Sequence, residues 1–224
     1  MLFRVKICGV TNVADAVEAV QAGADAIGVN FYDRSPRCVE ASEARDIAAV
    51  LPEGVHCVGV FVNPELSELE AAVALGLHAV QLHGDEQPAL LAHFRELPVI
   101  KAFRLGDDGL APVRAFLEQA RTLACLPAMV LIDAHRPGEY GGTGVTANWP
   151  LASEYHELAG PPLVLAGGLH AENVADAILT VRPAAVDTAS GVEASPGVKD
   201  AKRMQAFVQA ATRAFSQLDE GKPA

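Results

Sequence analysis

Residues 3–31 read FRVKICGVTNVADAVEAVQAGADAIGVNF, and this stretch contains one complete unit of the fold that the sequence predicts. Its first seven residues, FRVKICG, form a short apolar run that ends in glycine and is typical of a strand. The helical stretch NVADAVEAVQAG follows, and DAIGVNF is a second strand-like run. A strand, a helix and another strand in this order predict a βαβ unit with parallel strands.

The same alternation continues without a linker until the chain has produced eight strand–helix units. The remaining strand-like runs are HCVGVFV (56–62), HAVQLHG (78–84), PVIKAF (98–103), PAMVLID (127–133), PLVLAGG (162–168) and AAVDTASG (184–191). Eight units in about 220 residues predict a closed (β/α)8 (TIM) barrel of the α/β class. We expect one barrel domain over residues 1–219 and a flexible tail over residues 220–224. An open doubly wound sheet would have fewer strands and an early GxGxxG turn, which the sequence lacks.

Capping residues agree with these boundaries. Asn12 followed by Asp15 has the spacing of a capping box at the start of the first helix. Asn63–Pro64 is expected to be an N-cap followed by proline at the first helical position. Gly23 and Gly76 each follow a helical stretch and should end it as left-handed C′ residues.

Composition excludes several classes of protein. The 224 residues are 50% hydrophobic and carry a net charge of −11, whereas nucleic-acid binding requires a basic patch. The densest basic group, Lys199, Lys202 and Arg203, is expected to be the polar face of a helix. The four cysteines have no CxxC spacing, no apolar run reaches the ~18 residues of a membrane span, and MLFRVKICG is not a signal peptide. We therefore expect a cytoplasmic protein, either monomer or homodimer, with no nucleic-acid or membrane partner.

The first strand carries two polar residues at the end where barrel active sites lie. Because side chains alternate across a strand, Val5 and Ile7 should face the helices, while Arg4, Lys6 and Cys8 should face the barrel interior.

A free cysteine such as Cys8 is often only a small buried hydrophobe. A nearby cation favours the thiolate, however, so Lys6 makes a functional role for Cys8 the better interpretation. A charged Lys6 also needs a partner. Since strand 8 neighbours strand 1 in a closed barrel, we predict an ion pair between Lys6 and Asp187.

Asp133 ends the sixth strand, three steps around the ring from Cys8. It is either a capping aspartate or a carboxylic acid at the mouth of the barrel. In the second case, Cys8 and Asp133 would flank a ligand, and one would take a proton while the other gives one.

The turns AGGL (166–169) and ASG (189–191) follow strands 7 and 8, where barrels usually bind phosphate. The alternative is that they are only tight turns. Arg37, in the loop after strand 2, could hold a carboxylate through two hydrogen bonds or could simply be solvated. The loop PGEYGGTG (137–144) is either a linker or a loop whose backbone closes over a ligand.

Several of these segments together resemble the phosphoribosylanthranilate isomerase family over nearly the whole chain. The similar segments are KICGVT (6–11), FYDRSPR (31–37), GVFVN (59–63), QLHG (81–84), LIDAHRPGEYGGTG (131–144), LAGGLHAENV (165–174) and AVDTASGVEASPGVKD (185–200). The early KICG combined with the late GVE–PG–KD is specific, whereas glycine turns alone would be weak evidence.

The resemblance implies a role for each matching residue. Cys8 would be the general base and Asp133 the general acid. Arg37 would bind the anthranilate carboxylate, and Asp187 would lie near the sugar. The phosphate would be bound by Gly142, Thr143, Gly144, Gly167, Gly168, Ser190 and Gly191. The implied reaction is an Amadori rearrangement of N-(5-phosphoribosyl)anthranilate in tryptophan biosynthesis, with no cofactor and no metal.

The sequence departs from the family pattern at three places. Ala189 lacks a hydroxyl that the family often has, Ala147–Trp149 replaces a frequent Phe-Asp-Trp, and Asn30 stands where an apolar residue is common. The pattern gives no reason for Asn30 and no role for His83 or His135.

Three other functions are compatible with a barrel of this kind. A metal-dependent sugar-phosphate epimerase needs clustered His and Asp ligands, and a barrel that also serves histidine biosynthesis needs a second phosphate turn in its other half. A barrel that binds a phosphorylated ligand without catalysis is the non-enzymatic alternative.

Overall fold

The computed structural model describes residues 1–94, 97–133 and 148–221, and its central feature is a closed barrel of eight parallel strands. The strands are β1 (Val5–Cys8), β2 (Ala26–Asn30), β3 (His56–Phe61), β4 (Ala79–Leu82), β5 (Val99–Arg104), β6 (Met129–Asp133), β7 (Leu163–Ala166) and β8 (Ala185–Thr188). They pair in chain order, and β8 closes the ring on β1. The predicted (β/α)8 fold is therefore confirmed.

Helices connect the strands around the ring. They are α1 (Val13–Ala22), α2 (Ala41–Ala49), α3 (Leu66–Ala74), α4 (Ala111–Thr122), α5 (Trp149–Ser153), α6 (Val174–Val181) and α7 (Ala201–Glu220). A short antiparallel hairpin of β9 (Glu193–Ser195) and β10 (Val198–Lys199) precedes α7. None of the helices in the described ranges has both the length and the apolarity needed to cross a membrane.

The apolar core has two layers that follow the alternation of side chains along each strand. On β6, Met129 and Leu131 belong to the cluster inside the barrel, whereas Val130 and Ile132 belong to the cluster between strands and helices. All four side chains are fully buried, and each such burial stabilises the fold by about 1.5–3 kcal/mol. The two layers fix the register of each strand, because a slip of one residue would exchange them.

The alternation predicted for β1 is confirmed within the strand and wrong just before it. Val5 and Ile7 pack in the outer cluster as expected. Arg4 was expected to face the interior, but its guanidinium pairs with Asp219 of α7 at 2.7 Å. The reason is that Arg4 precedes the strand, where Asp25 Oδ2 accepts hydrogen bonds from the backbone N–H groups of both Arg4 and Val5 (3.0 and 2.9 Å).

Most of the predicted caps are confirmed. Asn12 is the N-cap of α1, and its Oδ1 accepts a hydrogen bond from the backbone N–H of Asp15 at 2.8 Å. Gly23 and Gly76 adopt left-handed φ values of 97° and 76° after their helices, a conformation that glycine adopts without steric cost.

The prediction that Asn63 caps α3 is wrong, because the helix begins three residues later at Leu66. Asn63 has a left-handed φ of 49°, and its Oδ1 accepts a hydrogen bond from the backbone N–H of Asp85 at 2.7 Å. The side chain therefore joins the loop after β3 to the loop after β4.

The connection after β4 also differs from the expected α-helix. It contains a 3-10 helix, Pro88–His93, in which Pro88 and Leu91 are the buried residues. A spacing of three matches the 3-10 repeat, in which side chains at i and i+3 lie above one another. The two buried residues of this segment are therefore the ones that a 3-10 helix places on one face.

Lys199 does not lie on the polar face of a helix, as the sequence had suggested. It lies in β10, and its side chain is fully buried. The helix starts only after Asp200, whose side chain caps it by accepting a hydrogen bond from the backbone N–H of Arg203 at 3.0 Å. This difference matters for the site, because it leaves a buried cation near the end of β1.

Candidate active site

The inward-facing residues of β1 and β8 form a polar group at the mouth of the barrel. Lys6 and Asp187 are paired in register across the two strands, and Lys6 Nζ donates a hydrogen bond to Asp187 Oδ1 at 2.8 Å. The predicted ion pair is therefore confirmed. Burial disfavours the charged form of Lys6, but the carboxylate of Asp187 outweighs it and raises the pKa of Lys6 above 10.5.

The pKa of Cys8 is set by opposing effects. Burial raises the pKa of the thiol above its ordinary value of 9.0, and the positive charge of Lys6 offsets only part of that rise. Lys6 therefore favours the thiolate, as predicted, but burial is the larger effect and the net pKa is raised. The negative charge of Asp187 acts in the same direction as burial.

Gly28 of β2 creates the space that Cys8 and Lys6 occupy. It is paired in register with Cys8, and a Cβ atom on Gly28 would lie 2.7 Å from Cys8 Sγ and 3.1 Å from Lys6 Nζ. Contacts this short cannot form without displacing the thiol or the ammonium group. The glycine is therefore required by the polar group at the mouth rather than by a turn.

We expect Gly28→Ala to lower kcat by about tenfold or more while the barrel stays folded, because small displacements of reacting groups are costly. Steady-state kinetics together with the thermal midpoint would measure both effects. Gly106→Ala is the matched control, since a Cβ atom at Gly106 would meet nothing within 4 Å. A Gly28→Ala variant with the wild-type kcat would contradict this assignment.

Asp133 is the last residue of β6, and three steps around the ring separate its strand from β1. Its backbone is in register with Arg104 of β5 and Ala166 of β7. This position puts a carboxyl group at the mouth on the side of the ring that faces Cys8.

His83, directly after β4, is a neutral imidazole near Asp133. Burial lowers the pKa of His83 to about 4, and the positive charges of Arg104 and Lys101 act in the same direction. The charge of Asp133 opposes that shift, so the two side chains are within electrostatic reach of each other. Among the described residues, no group hydrogen-bonds to the buried Nε2 of His83.

The loop that carries Arg37 is shaped by Asn30, the residue for which the sequence pattern gave no reason. Asn30 Oδ1 accepts a hydrogen bond from the backbone N–H of Tyr32 at 2.8 Å, and its Nδ2 donates to Ser35 Oγ at 3.2 Å. Ser35 Oγ in turn accepts from the backbone N–H of Arg37 at 3.1 Å. An apolar residue at position 30 could make neither contact.

Arg37 is not a solvated arginine. Its side chain lies on Gly9, the residue after Cys8, and its Cδ is 2.4 Å from the position that a Cβ on Gly9 would occupy. Its guanidinium makes two hydrogen bonds of 2.7 Å to the carboxylate of Glu193. Arg37 therefore lies beside Cys8 with part of its hydrogen-bonding capacity already used.

Glu193 and Lys199 were given no role in the site from the sequence, although both belong to the GVE–PG–KD motif. Lys199 Nζ donates hydrogen bonds to Glu193 Oε1 (2.8 Å), the carbonyl of Cys8 (2.6 Å) and the carbonyl of Ala189 (3.0 Å). The signal for these residues was present, but a charged residue in a short hairpin does not reveal from sequence alone that it is buried.

The turns after β7 and β8 pack directly against each other. Gly167 and Gly168 have left-handed φ values of 95° and 64°, and a Cβ atom on Gly191 would lie 1.9 Å from the carbonyl oxygen of Leu169. Gly168 and Ser190 remain exposed. These glycines are thus required by backbone geometry, and the two turns form one surface.

A cleft of about 490 Å³ lies beside this surface. Its lining includes Ser190, Gly191, Lys202 and Arg203. The two basic side chains outnumber the one carboxylate of the lining, Glu172, so the cleft has a net positive charge in a protein that is acidic overall.

Part of the predicted site lies outside the described residues. Gly142, Thr143 and Gly144, the whole of PGEYGGTG and His135 all fall in the range 134–147. Just after it, Asn148 caps α5, and its Oδ1 accepts a hydrogen bond from the backbone N–H of Leu151 at 3.3 Å. Asparagine and aspartate are comparable N-caps, so the departure at position 148 leaves this helix start intact.

No cluster of three or more His, Cys, Asp or Glu side chains suited to a metal ion occurs within residues 1–94, 97–133 and 148–221. The described residues bring together at the mouth a thiol, a lysine–aspartate ion pair, a second carboxyl group, an arginine and two glycine turns.

Comparisons with known proteins agree over most of the chain. A family model described as N-(5′-phosphoribosyl)anthranilate (PRA) isomerase matches residues 5–210. The N-(5′-phosphoribosyl)anthranilate isomerase of Geobacter sulfurreducens is 45% identical over 212 residues, which is 94% of this chain and 98% of that protein.

Solved structures give the same result. The phosphoribosyl anthranilate isomerase of Thermotoga maritima superposes with a TM-score of 0.81 at 42% identity and covers 94% of this chain and 99% of its own. A phosphoribosyl anthranilate isomerase in complex with reduced 1-(o-carboxyphenylamino)-1-deoxyribulose 5-phosphate superposes with a TM-score of 0.79 at 39% identity, with coverage of 94% and 99%.

Proposed function

The chain belongs to the N-(5′-phosphoribosyl)anthranilate (PRA) isomerase family, and from this premise we propose how the residues at its mouth carry out the reaction. The protein is a phosphoribosylanthranilate isomerase of tryptophan biosynthesis. The observation that carries the residue assignment is the position of the Cys8 thiol inside the mouth, next to Lys6, with Asp133 at the end of β6 on the facing side.

The first step opens the ribose ring. Asp133, in its protonated form, donates a proton to the ring oxygen, and the bond between that oxygen and C1′ breaks. The anthranilate nitrogen supplies the electron pair that forms the C1′=N iminium. Proton donation in the transition state by a positioned carboxylic acid contributes about 10²–10⁴-fold to such reactions.

The second step moves a proton away from carbon. Cys8, as the thiolate, removes the proton from C2′, and the electron pair of that bond flows into the iminium to give an enolamine. Tautomerisation returns a proton to C1′ and leaves the ketone at C2′. The iminium of the substrate accepts the electrons, so the chemistry needs no further electron sink.

The remaining groups hold the two anionic ends of the substrate. Arg37 binds the anthranilate carboxylate, and Asp187 lies near the sugar. The phosphate is bound by the exposed turns at Gly167–Gly168 and Ser190–Gly191, close to the positive cleft, and by Gly142–Gly144. Backbone N–H groups of such turns are suited to phosphate.

The raised pKa of Cys8 predicts how the reactivity of its thiol depends on pH. Burial raises this pKa above 9.0, so the thiolate fraction grows with pH throughout the neutral range. The value of kcat/KM also depends on a protonated Asp133, so the thiolate is better measured alone, by the rate at which iodoacetamide alkylates Cys8, with Cys8→Ala as the control. We expect this rate to rise about tenfold per pH unit from about pH 6 to about pH 8, because the thiolate is the nucleophile. A rate that does not change over this range would contradict the raised pKa.

The activity itself is tested with freshly generated PRA, whose fluorescence is lost on turnover. We expect wild-type turnover to be unchanged by a chelator such as EDTA. Loss of turnover on chelation would favour the metal-dependent epimerase. Binding of the reduced product analogue without any turnover of PRA would favour the barrel that binds without catalysis.

A further inference from the structure

Glu193 connects the arginine of the site to a buried lysine. It is the first residue of β9 and is 5% exposed. Its Oε2 accepts a hydrogen bond from Arg37 Nη2 at 2.7 Å, and its Oε1 accepts from Arg37 Nε at 2.7 Å and from Lys199 Nζ at 2.8 Å. The hydrogen bonds from Arg37 and Lys199 outweigh burial and lower the pKa of Glu193, so the carboxylate is ionised at neutral pH.

These contacts leave a defined part of the guanidinium for a ligand. A guanidinium presents its five N–H donors in a planar fork with fixed directions. Glu193 occupies the edge formed by Nε and Nη2. The edge formed by Nη1 and Nη2 has no hydrogen bond to another residue in the described part of the chain, and it has the geometry that pairs with a second carboxylate.

Lys199 ties this arrangement to the reacting end of the site. Its ammonium group donates to the carbonyl oxygens of Cys8 and Ala189 as well as to Glu193. The cluster of Arg37, Lys199 and Glu193 contains two cations and one anion, so its net charge is +1. A bound substrate carboxylate would bring the cluster to neutrality.

We propose that Glu193 is a positioning residue that holds the Nη1–Nη2 edge of Arg37 toward the anthranilate carboxylate, with Lys199 fixing Glu193 relative to Cys8. The proposal rests on the proposed function, in which Arg37 binds that carboxylate. Glu193 acts through Arg37 and touches neither the substrate nor the reacting atoms. If the ion pair only stabilised the hairpin, its loss would affect the binding of ligands with and without a carboxylate equally.

The test compares two ligands on Glu193→Gln by titration calorimetry. One is the reduced 1-(o-carboxyphenylamino)-1-deoxyribulose 5-phosphate, and the other is the same compound without its ring carboxylate. We expect the variant to bind the first ligand about tenfold more weakly or worse, since hydrogen bonds to charged groups contribute about 1.5–3 kcal/mol. Binding of the second ligand should change by less than about threefold. Equal weakening of both ligands, or no weakening of either, would overturn the proposal.

Kinetic measurements on the same variants provide a second readout. Glu193→Gln should raise KM for PRA by a similar factor and change kcat little. In an Arg37→Ala background it should raise KM almost no further, because the effects of coupled residues are not additive. Glu118→Gln, an exposed glutamate on α4, is the matched control. Should Glu193→Gln fail to fold, Glu193→Asp keeps the charge with a shorter reach and should show the same selective loss in part.

The wild type separates failure of this proposal from failure of the proposed function. If the wild type turned over PRA but bound the two ligands with equal affinity, Arg37 would not bind the ring carboxylate. Glu193 would then have no positioning role. Absence of wild-type turnover would instead overturn the residue assignments at the mouth.

Discussion

Cys8→Ala should lower kcat for PRA by about 10²–10⁴-fold, the typical contribution of one general base. The side chain is small and lies at the mouth, so its removal leaves Lys6 and Asp187 paired and the barrel folded. KM should change little, because Arg37 and the two glycine turns hold the substrate. Steady-state assays by loss of PRA fluorescence, with calorimetric binding of the reduced product analogue, would measure both parameters.

Cys125→Ala is the matched control for this variant. Cys125 is also a free, partly buried thiol, but its Sγ contacts the carbonyl of Pro88 at 3.2 Å, away from the mouth. It should retain wild-type kinetics. Turnover by Cys8→Ala within a few-fold of the wild type would leave the isomerase in place but assign the base to another group.

Asp133→Asn should lower kcat by about 10²–10⁴-fold for the complementary reason. The amide has nearly the same shape as the carboxylic acid but cannot release a proton to the ring oxygen. Binding of the reduced product analogue should be nearly unchanged, because that ligand needs no ring opening. Parallel measurement of kcat and of the dissociation constant would show whether the loss is confined to chemistry.

The control for Asp133→Asn is Asp46→Asn on the exposed face of α2, which should behave as the wild type. If Asp133→Asn lost affinity for the analogue by the same factor as it lost turnover of PRA, the carboxylate would have a binding role. That result would contradict Asp133 as the general acid.

The sequence predicted the barrel because its local signals agree along the chain. Alternation on β1 placed Val5 and Ile7 outside and led to the pairing of Lys6 with Asp187. These inferences depend only on strand period and on the closure of β8 onto β1. The same reasoning failed at Arg4 and Asn63, because each lies outside its regular element and makes a hydrogen bond or ion pair to a distant segment.

The sequence predicted the pairing of Lys6 with Asp187 at the mouth but not the electrostatics of the site. The net pKa of Cys8 depends on how deeply the thiol is buried and on how fully Asp187 neutralises Lys6, and neither is encoded in the pattern of strands. Glu193 and Lys199 were not assigned to the site for a related reason. Their charges look solvated in sequence, and only the packing of the hairpin on β1 and on the loop of Arg37 buries them.

The most direct test of Cys8 as the general base is a single-turnover experiment with enzyme in excess over freshly generated PRA, run for the wild type and Cys8→Ala together. This design separates chemistry from product release. We expect rapid loss of PRA fluorescence with the wild type and a decay about 10²–10⁴-fold slower with Cys8→Ala, although both bind the reduced product analogue. Equal decay rates for the two proteins would contradict the claim that Cys8 removes the C2′ proton.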